Sequence, residues 1–135
     1  MLLVPTRVGP SKIHGTGLFL LKPVPCGRPV WCFQSGFDQA FAPAEFAALP
    51  PLAREFLSHY AYLQMHDGHR VLNGDHARFM NHSESPNTGA PPPDHAPTSI
   101  PETFVTVALV DLPAGVELTC DYRTFDGDFA QKIGP

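Results

Sequence analysis

Proline is the residue that most limits what this chain can fold into, because 16 of its 135 residues are proline. Proline has no backbone N–H and fixes φ, so it interrupts helices and central strands. Short strands joined by turns are therefore predicted over most of the chain, and long helices are excluded. At this length the chain is expected to form a single domain, residues 1–135, with its own hydrophobic core.

Short apolar runs bounded by turn residues predict strands in both halves of the chain. The predicted strands are residues 2–4, 18–21, 30–33, 70–72, 104–110 and 116–122. A polar turn is expected from 9 to 17, and Asp67-Gly68 and Asn73-Gly74 are typical hairpin turns. The segments 24–27 and 112–115 share a proline followed two residues later by glycine, which predicts two matching strand-turn-strand units. The last two strands are expected to pair antiparallel across the second of these turns.

Helical periodicity is confined to an insert at about 38–65. Residues 43–49 predict one short helix, and Pro50-Pro51 suits the first turn of a second, where a backbone N–H is not needed. An apolar set recurs in this second helix at three- and four-residue spacings, which predicts one buried face. Its members are Leu52, Phe56, Tyr60 and Leu63. Tyr60 and Tyr62 are accordingly predicted to be core residues.

The balance of charges limits the possible partners. Nine Lys and Arg against 13 Asp and Glu give a formal net charge of -4, which argues against nucleic-acid binding and fits a basic peptide better. Three cysteines without a C-x-x-C pair indicate neither a disulfide framework nor a cysteine zinc site, so a reducing, cytoplasmic environment is expected. No apolar run approaches the roughly 20 residues that span a bilayer, so no membrane association or export signal is expected.

The segment Arg78-Phe79-Met80-Asn81-His82-Ser83-Glu84-Ser85-Pro86-Asn87 is the strongest candidate for a binding site. It offers side-chain amides, an imidazole and backbone groups within a run that favours turns, which suits a ligand. The alternative is a polar surface loop whose asparagines only satisfy nearby backbone. Gly15-Thr16-Gly17 lets backbone approach a ligand or simply turn, and it lacks the third glycine of a dinucleotide fingerprint, so NAD binding is not supported.

Together with Glu117-Leu118-Thr119-Cys120-Asp121-Tyr122, these two segments resemble, in the same order, the motifs of the SET-domain protein lysine methyltransferases. The resemblance extends from about 7 to about 129. It implies a mostly β, β-clip-like SET fold with several short sheets, the helical insert, and a C-terminal segment threaded in a knot-like arrangement. Such threading is rare among folds.

The resemblance also implies a cofactor, S-adenosylmethionine, with S-adenosylhomocysteine as product. The residues that match the family's cofactor-binding positions are Gly15, Thr16, Gly17, Leu18, Asn81, His82, Tyr122 and Phe125. Tyr122 also matches the catalytic tyrosine, whereas Arg78 and Phe79 are assigned to packing. Without the other motifs, Tyr122 would be interpreted as a half-buried tyrosine at a strand end.

One position departs from the family pattern. Many relatives have a cysteine where this chain has Glu84, and that cysteine binds zinc together with cysteines that follow the domain. No cysteine follows Cys120 here, so that zinc site is absent from the sequence. Phe125 and Phe129, in the C-terminal flank 123–135, are the candidates to close the cofactor side instead. The flank is expected either to cover the site or to fray.

The implied reaction is transfer of a methyl group to a lysine amine of a protein or peptide substrate. One alternative is a non-catalytic SET-like module that binds cofactor or protein. Another is an interaction protein that uses its flexible proline-rich loop at about 89–101. A metal site at His66, His69 and His76 is disfavoured because Asp67-Gly68 breaks helical spacing. The substrate, the number of methyl groups added and the oligomeric state are not indicated by the sequence.

Overall fold

A computed structural model of the protein describes residues 1–92, 94 and 105–133. The strands are β1 Thr6–Pro10, β2 Thr16–Leu20, β3 Pro29–Cys32, β4 Gln39–Phe41, β5 Tyr62–Leu63, β6 Arg70–Leu72, β7 Asn81–His82, β8 Thr88–Gly89, β9 Val105–Ala108 and β10 Thr119–Cys120. The helices are α1 Pro43–Ala48, α2 Pro51–Tyr60 and α3 Phe129–Ile133, with 3-10 turns at His76–Phe79 and Tyr122–Thr124. The prediction of a mostly β fold built from short elements is confirmed, since strands outnumber helices and α2 has only 10 residues.

The strands form several small sheets. β1 pairs with β2, β9 lies between β3 and β8, and β6 lies between β4 and β5, all antiparallel. β7 and β10 pair in parallel and bring residues 81–82 beside 119–120. This parallel pair joins the two polar motifs, because a parallel contact places segments that are distant in sequence side by side.

The predicted antiparallel pairing of 104–110 with 116–122 is wrong. β9 pairs with β3 and β8, whereas the chain after Gly115 lies along β2, where Leu118 N–H donates to Leu18 O at 2.8 Å. The reason is the turn itself, since Gly115 N–H donates to Leu20 O at 2.8 Å and so directs the chain away from β9. Turn residues predicted where the chain bends but not which strand it meets next.

The two proline-glycine turns pair with each other. Val24 and Leu112 exchange both backbone hydrogen bonds at 2.8 Å. Gly27 and Gly115 both have a positive φ, 84° and 87°, which glycine adopts without a steric penalty. The prediction of two matching turns is therefore confirmed, with a mutual contact that the sequence did not indicate.

The first strand lies further along the chain than predicted. β1 covers Thr6–Pro10, while Leu2 makes only an isolated bridge to Trp31. The expected turn from 9 to 17 is shorter because Ser11 N–H donates to Gly15 O at 2.8 Å and closes the turn within 11–15. The hairpin turn at Asp67-Gly68 joins β5 to β6, whereas Asn73-Gly74 leads into a 3-10 turn instead of a strand.

The helices of the insert begin where the prolines predicted, but the predicted buried face of α2 is wrong. Leu52, Phe56 and Tyr60 are exposed by 79%, 44% and 42%, and only Leu57 is buried. Tyr60 is therefore not a core residue. α2 packs against the rest of the protein through Leu57. The residue spacing identified an apolar stripe on this helix, but the folded chain buries the neighbouring side.

The hydrophobic core lies beneath β1, β2 and the final strand. Leu18, Leu20, Val30 and Leu118 are almost fully buried within it, and burying each such side chain is worth about 1.5–3 kcal/mol. Asn87 fastens the C-terminal motif to this core, because its side chain accepts from Thr119 N–H at 2.8 Å and donates to Glu117 O at 2.8 Å. The segment 117–120 is thus held between β2, β7 and Asn87.

The predictions for the C-terminal flank 123–135 and for the proline-rich loop 89–101 have different outcomes. The described residues of the C-terminal flank, up to Ile133, are folded and not frayed. They cover part of the fold and include two buried carboxylates, Asp126 and Asp128. Most of the predicted loop 89–101 lies outside the described residues. In the part of the chain that is described, no helix has the length and apolar character to cross a bilayer.

Candidate active-site groove

The three polar motifs line one open groove of about 1240 Å³. Its walls include Gly15 and Thr16 from the turn before β2, Asn81 and His82 from β7, and Tyr122 and Phe125 after β10. Of the predicted cofactor-binding residues, Gly17 and Leu18 do not border the groove, and Leu18 is fully buried in the core. The fold therefore brings together the residues that three separate sequence motifs supplied.

Asn81 holds the glycine turn in place. Its Nδ2 lies 3.0 Å from His14 O, 3.1 Å from Thr16 O and 2.8 Å from Glu117 Oε1. An amide nitrogen has only two hydrogens, so these three acceptors share them. The Oδ1 atom accepts no hydrogen bond from the described residues. Asn81 thus fixes the backbone of 14–16 and presents an acceptor at the groove.

The two glycines of the turn serve different physical needs. Gly15 has a φ of +46°, and an added Cβ would meet nothing within 4 Å, so this glycine is required by backbone conformation. A Cβ on Gly17 would lie 2.3 Å from Glu117 Oε1, so this glycine is required by close approach. The open space at Gly15 leaves room for a ligand beside the turn.

Glu117 organises the site, although sequence reasoning gave it no role. Its two carboxylate oxygens accept from Ser11 Oγ at 2.9 Å, and Oε1 also accepts from Asn81. Ser11 in turn accepts from the backbone N–H of Ile13 and His14. The available signal was its place at the head of the Glu-Leu-Thr-Cys-Asp-Tyr motif, but its partners are distant in sequence.

His82 and Tyr122 are joined through backbone and ring contacts. The Tyr122 backbone N–H donates to His82 Nδ1 at 3.2 Å, which places the imidazole proton on Nε2. The two rings lie 5.8 Å apart between centroids. His82, which lies in β7, is therefore in direct contact with Tyr122 of the C-terminal motif.

The Tyr122 hydroxyl is a hydrogen-bond donor and not a base. It donates to the carbonyl oxygen of Met80. Burial raises the pKa of Tyr122 well above its ordinary value of 10.0, with smaller contributions from Cys120 and Asp126. The phenol is thus neutral at physiological pH, so it can orient polar groups but is not suited to removing protons.

Three aromatic side chains flank Tyr122. Phe125 meets Tyr122 edge-on at 5.5 Å and Tyr62 at 5.2 Å, while Phe129 lies 4.8 Å from His82 and 6.3 Å from Tyr122. Of the two phenylalanines predicted to close the cofactor side, Phe125 borders the groove, whereas Phe129 does not and packs against His82 and Tyr122.

Tyr62 is a groove residue that sequence reasoning placed in the core. It is half-buried, and its hydroxyl makes no hydrogen bond with the described residues. Burial, followed by the charges of Asp38, Asp126 and Asp67, raises the pKa of Tyr62. Its aromatic body packs on Phe125 while its neutral hydroxyl is available as a donor or acceptor to a ligand.

Arg78, Phe79 and His66 also border the groove, on the side of the helical insert and the 3-10 turn. Arg78 lies over the ring of Tyr60 at 6.0 Å and Phe79 stacks on His76 at 6.0 Å, both packing contacts. His66 and His69 lie near Asp67, at 3.4 and 3.1 Å. Across the described residues, no three His, Cys, Asp or Glu side chains are grouped to hold a metal ion.

Comparison with known proteins places this geometry in a family. The family model of the SET domain matches residues 15–123, most of the chain. No curated protein sequence matches it. Among solved structures, a humanized mutant of the Chaetomium thermophilum Polycomb Repressive Complex 2, bound to the inhibitor GSK126, superposes with a TM-score of 0.63 at 19% identity. That alignment covers 95% of this chain and 16% of the other.

A second similar structure is a candidate histone methyltransferase of Plasmodium falciparum. It has a TM-score of 0.56 at 18% identity and covers 90% of this chain and 95% of its own. At these identities the two likenesses show a shared fold. This chain spans a small part of the first structure and nearly all of the second.

Proposed function

This chain belongs to the SET-domain family, and from that premise we propose that it transfers a methyl group from S-adenosylmethionine to a lysine side chain of a protein. The observation that carries the proposal is the meeting of Asn81, His82 and Tyr122 with the 14–16 backbone at one groove. The first similar structure is of a Polycomb Repressive Complex 2, and the second is of a candidate histone methyltransferase. Both likenesses support a protein substrate.

The groove residues suit S-adenosylmethionine chemically. The cofactor carries an ammonium, a carboxylate and an adenine, and it supplies a methyl group on a positively charged sulfur. Asn81 offers a free Oδ1 acceptor, and the glycine turn offers backbone with open space at Gly15. His82 has Nε2–H available as a donor, since its Nδ1 is already an acceptor. We assign these three residues and Thr16 to the cofactor.

The lysine must arrive as a neutral amine, because only the lone pair can attack the methyl carbon. A free lysine has a pKa of about 10.4, so neutralising it at pH 7 costs roughly 4 to 5 kcal/mol at about 1.36 per pH unit. An apolar wall and the cofactor's positive charge both lower this pKa. Transfer would form the new N–C bond and break the S–C bond, with S-adenosylhomocysteine as the leaving group, and the extra proton on the methylated amine would pass to water.

Tyr122 and the aromatic residues around it provide alignment for this displacement. The neutral Tyr122 hydroxyl, fixed on Met80 O, orients polar groups near the reacting methyl. Tyr62 and Phe125 flank the same position and exclude water. Carbonyl oxygens such as that of Met80 add weak C–H···O contacts to a methyl group. No residue in this arrangement needs to act as a strong base.

Calorimetric titration with S-adenosylmethionine tests the first half of the proposal. The wild type is expected to bind at micromolar affinity, and the Asn81→Ala, His82→Ala double variant is expected to lose binding. Leu52→Ala is the matched control, because Leu52 lies on the exposed face of α2 away from these contacts. A wild-type protein that binds no cofactor would leave the non-catalytic module as the better description.

Incubation of the protein with cell extract and methyl-labelled cofactor tests the second half. Label is expected in proteins and, after acid hydrolysis, in methylated lysine. Label on another amino acid would contradict lysine transfer while leaving methyl transfer intact. Pre-blocking lysines of the extract is the control, since it removes only the proposed acceptor.

We also propose a cytoplasmic location, which the three unpaired cysteines support.

A further inference from the structure

A cluster of four charged side chains joins the C-terminal segment to the helical insert. Asp126 and Asp128 lie between two cations: Arg70 NH1 is 2.7 Å from Asp128 Oδ2, and Lys132 Nζ is 2.8 Å from Asp126 Oδ2. Lys132 Nζ also lies 3.1 Å from Asp128 Oδ1, at an ion-pair distance. We refer to Arg70, Asp126, Asp128 and Lys132 as the ion latch.

The latch is buried and electrically balanced. Asp126 and Asp128 are 4% and 7% exposed, and the cationic side chains of Arg70 and Lys132 are 15% and 18% exposed. Burial alone would raise the pKa of Asp128, but hydrogen bonding within the cluster outweighs it and holds that pKa at about 2. Removing one member of such a cluster leaves an uncompensated buried charge, which strongly disfavours the packing of residues 125–133 against the insert.

Backbone contacts bind the same two segments together. Leu63 N–H donates to Asp126 Oδ1 at 3.0 Å, and Gly127 N–H donates to Leu63 O at 2.7 Å. Lys132 Nζ donates to Ala61 O at 2.6 Å, at the end of α2. Arg70 extends the contact to α1, because its guanidinium lies 4.6 Å over the ring of Phe46. Residues 125–133, which we call the docked segment, are thus attached to the insert, and Phe125 also packs against the hydrophobic core.

The docked segment carries two aromatic residues: Phe125 borders the groove, and Phe129 packs against His82 of the groove wall. Phe125 immediately precedes Asp126, and Phe129 immediately follows Asp128. The position of the latch therefore sets where both rings meet the groove: Phe125 against Tyr62 and Tyr122, and Phe129 against His82. Asp126 and Lys132 also border the groove, whereas Arg70 and Asp128 do not and can affect it only through these rings.

We propose that the ion latch is a positioning device that holds Phe125 and Phe129 over the cofactor side of the groove. This inference rests on the proposed function. Arg70 and Asp128, which do not border the groove, act through the phenylalanines and are positioning residues.

The other ionic contact of this region is less suited to that role. Arg123 pairs with Glu84 at 3.2 Å and with Asp121 at 2.7 Å, but the side chains of Arg123 and Glu84 are 47% and 79% exposed. Exposed pairs of this kind contribute little and are screened by salt. Glu84 occupies the position of a zinc-binding cysteine, yet the buried contacts lie elsewhere.

The test compares Lys132→Met, which keeps the aliphatic length and removes the charge, with Lys132→Arg, which keeps the charge. Affinity for S-adenosylmethionine is measured by calorimetry, and amide exchange is measured over residues 125–133. If the segment is docked only a tenth of the time, the apparent affinity falls about tenfold. Lys132→Met is expected to show that loss with faster exchange, and Lys132→Arg less than about a twofold loss.

Asp38→Asn is the control for general destabilisation. Asp38 is also a buried carboxylate, but it pairs with the Met1 ammonium and the N–H groups of Gln34 and Gly74, and it does not border the groove. It is expected to lower the melting temperature without changing cofactor affinity. The inference is overturned if Lys132→Met binds cofactor as the wild type does. A wild type that binds none overturns the proposed function, and exchange rates then decide whether the latch holds 125–133.

Discussion

Asn81 Nδ2 donates to Glu117 Oε1 at 2.8 Å, and this contact joins two motifs that lie 36 residues apart in the sequence. The same carboxylate accepts from Ser11 Oγ. The partly buried Glu117 side chain therefore connects the glycine turn, β7 and the C-terminal motif. Hydrogen bonds to a charged acceptor are worth about 1.5–3 kcal/mol each. Glu117 is therefore the residue on which the geometry of the groove most depends.

Gly17→Ala is expected to damage the groove far more than Gly15→Ala. The new Cβ at 17 would lie 2.3 Å from Glu117 Oε1 and displace that carboxylate from Asn81 and Ser11. At 15 the Cβ meets nothing, and only a backbone penalty of about 1 kcal/mol is expected. Calorimetry with S-adenosylmethionine measures the difference. Equal affinities in the two variants would contradict the role given to Glu117.

Tyr122→Phe is expected to keep cofactor binding and to lose methyl transfer by on the order of a hundredfold or more, by analogy with the loss of one positioned polar group. The ring contacts with Phe125 survive, while the donor to Met80 O disappears. Single-turnover transfer and cofactor titration separate the two effects. Leu52→Ala, on the exposed face of α2 and outside the groove, is the control. Near-normal turnover in Tyr122→Phe would refute the assignment.

Leu57→Ala and Leu52→Ala test the face of α2 that packs. Leu57 is 4% exposed and Leu52 is 79% exposed. Truncating a buried leucine costs about 2–5 kcal/mol, whereas an exposed change lies within about 0.5 kcal/mol. Urea unfolding of the two variants should differ by that amount. Comparable destabilisation by both would mean that the predicted stripe, and not its neighbour, is buried.

Stability is expected to fall in alkali. Burial raises the pKa values of Cys120, Tyr62 and Tyr122 above their ordinary values of 9.0, 10.0 and 10.0. The unfolded chain ionises at those ordinary values while the folded chain stays protonated, so unfolding releases protons above about pH 9. The stabilisation is complete below that pH and declines by up to about 1.4 kcal/mol per pH unit for each group.

Urea unfolding between about pH 7 and pH 10.5 measures this decline. Tyr62→Phe and Tyr122→Phe should each flatten the dependence, because each removes one group that must ionise on unfolding. The exposed residue Tyr60 provides the matched control through Tyr60→Phe. Stability that does not change across this range would contradict the protonated, buried state of these side chains.

Much of the architecture follows from local patterns. Prolines set the starts of α1 and α2, glycines set the turns at 27 and 115, and apolar runs located most strands. These signals work because they act on φ, ψ and side-chain alternation within a few residues. The motifs with Asn81, His82 and Tyr122 were likewise visible in the sequence, and the fold brings them to one groove.

Contacts between distant segments were not accessible in this way. The partner of residues 116–122, the buried side of α2 and the groove position of Tyr62 all differ from the prediction. In each case several local arrangements satisfy the same pattern, and the packing of the whole chain selects one of them.

The sequence by itself determined short elements, their turns and the three motifs that meet at the groove, because those properties depend on neighbouring residues. Only the tertiary structure assigned Glu117 to Asn81 and Arg70 to Asp128, a pair 58 residues apart. Charged residues have no periodic signature that names their partners. Their roles are decided by which buried charges the folded chain must bring together to neutralise one another.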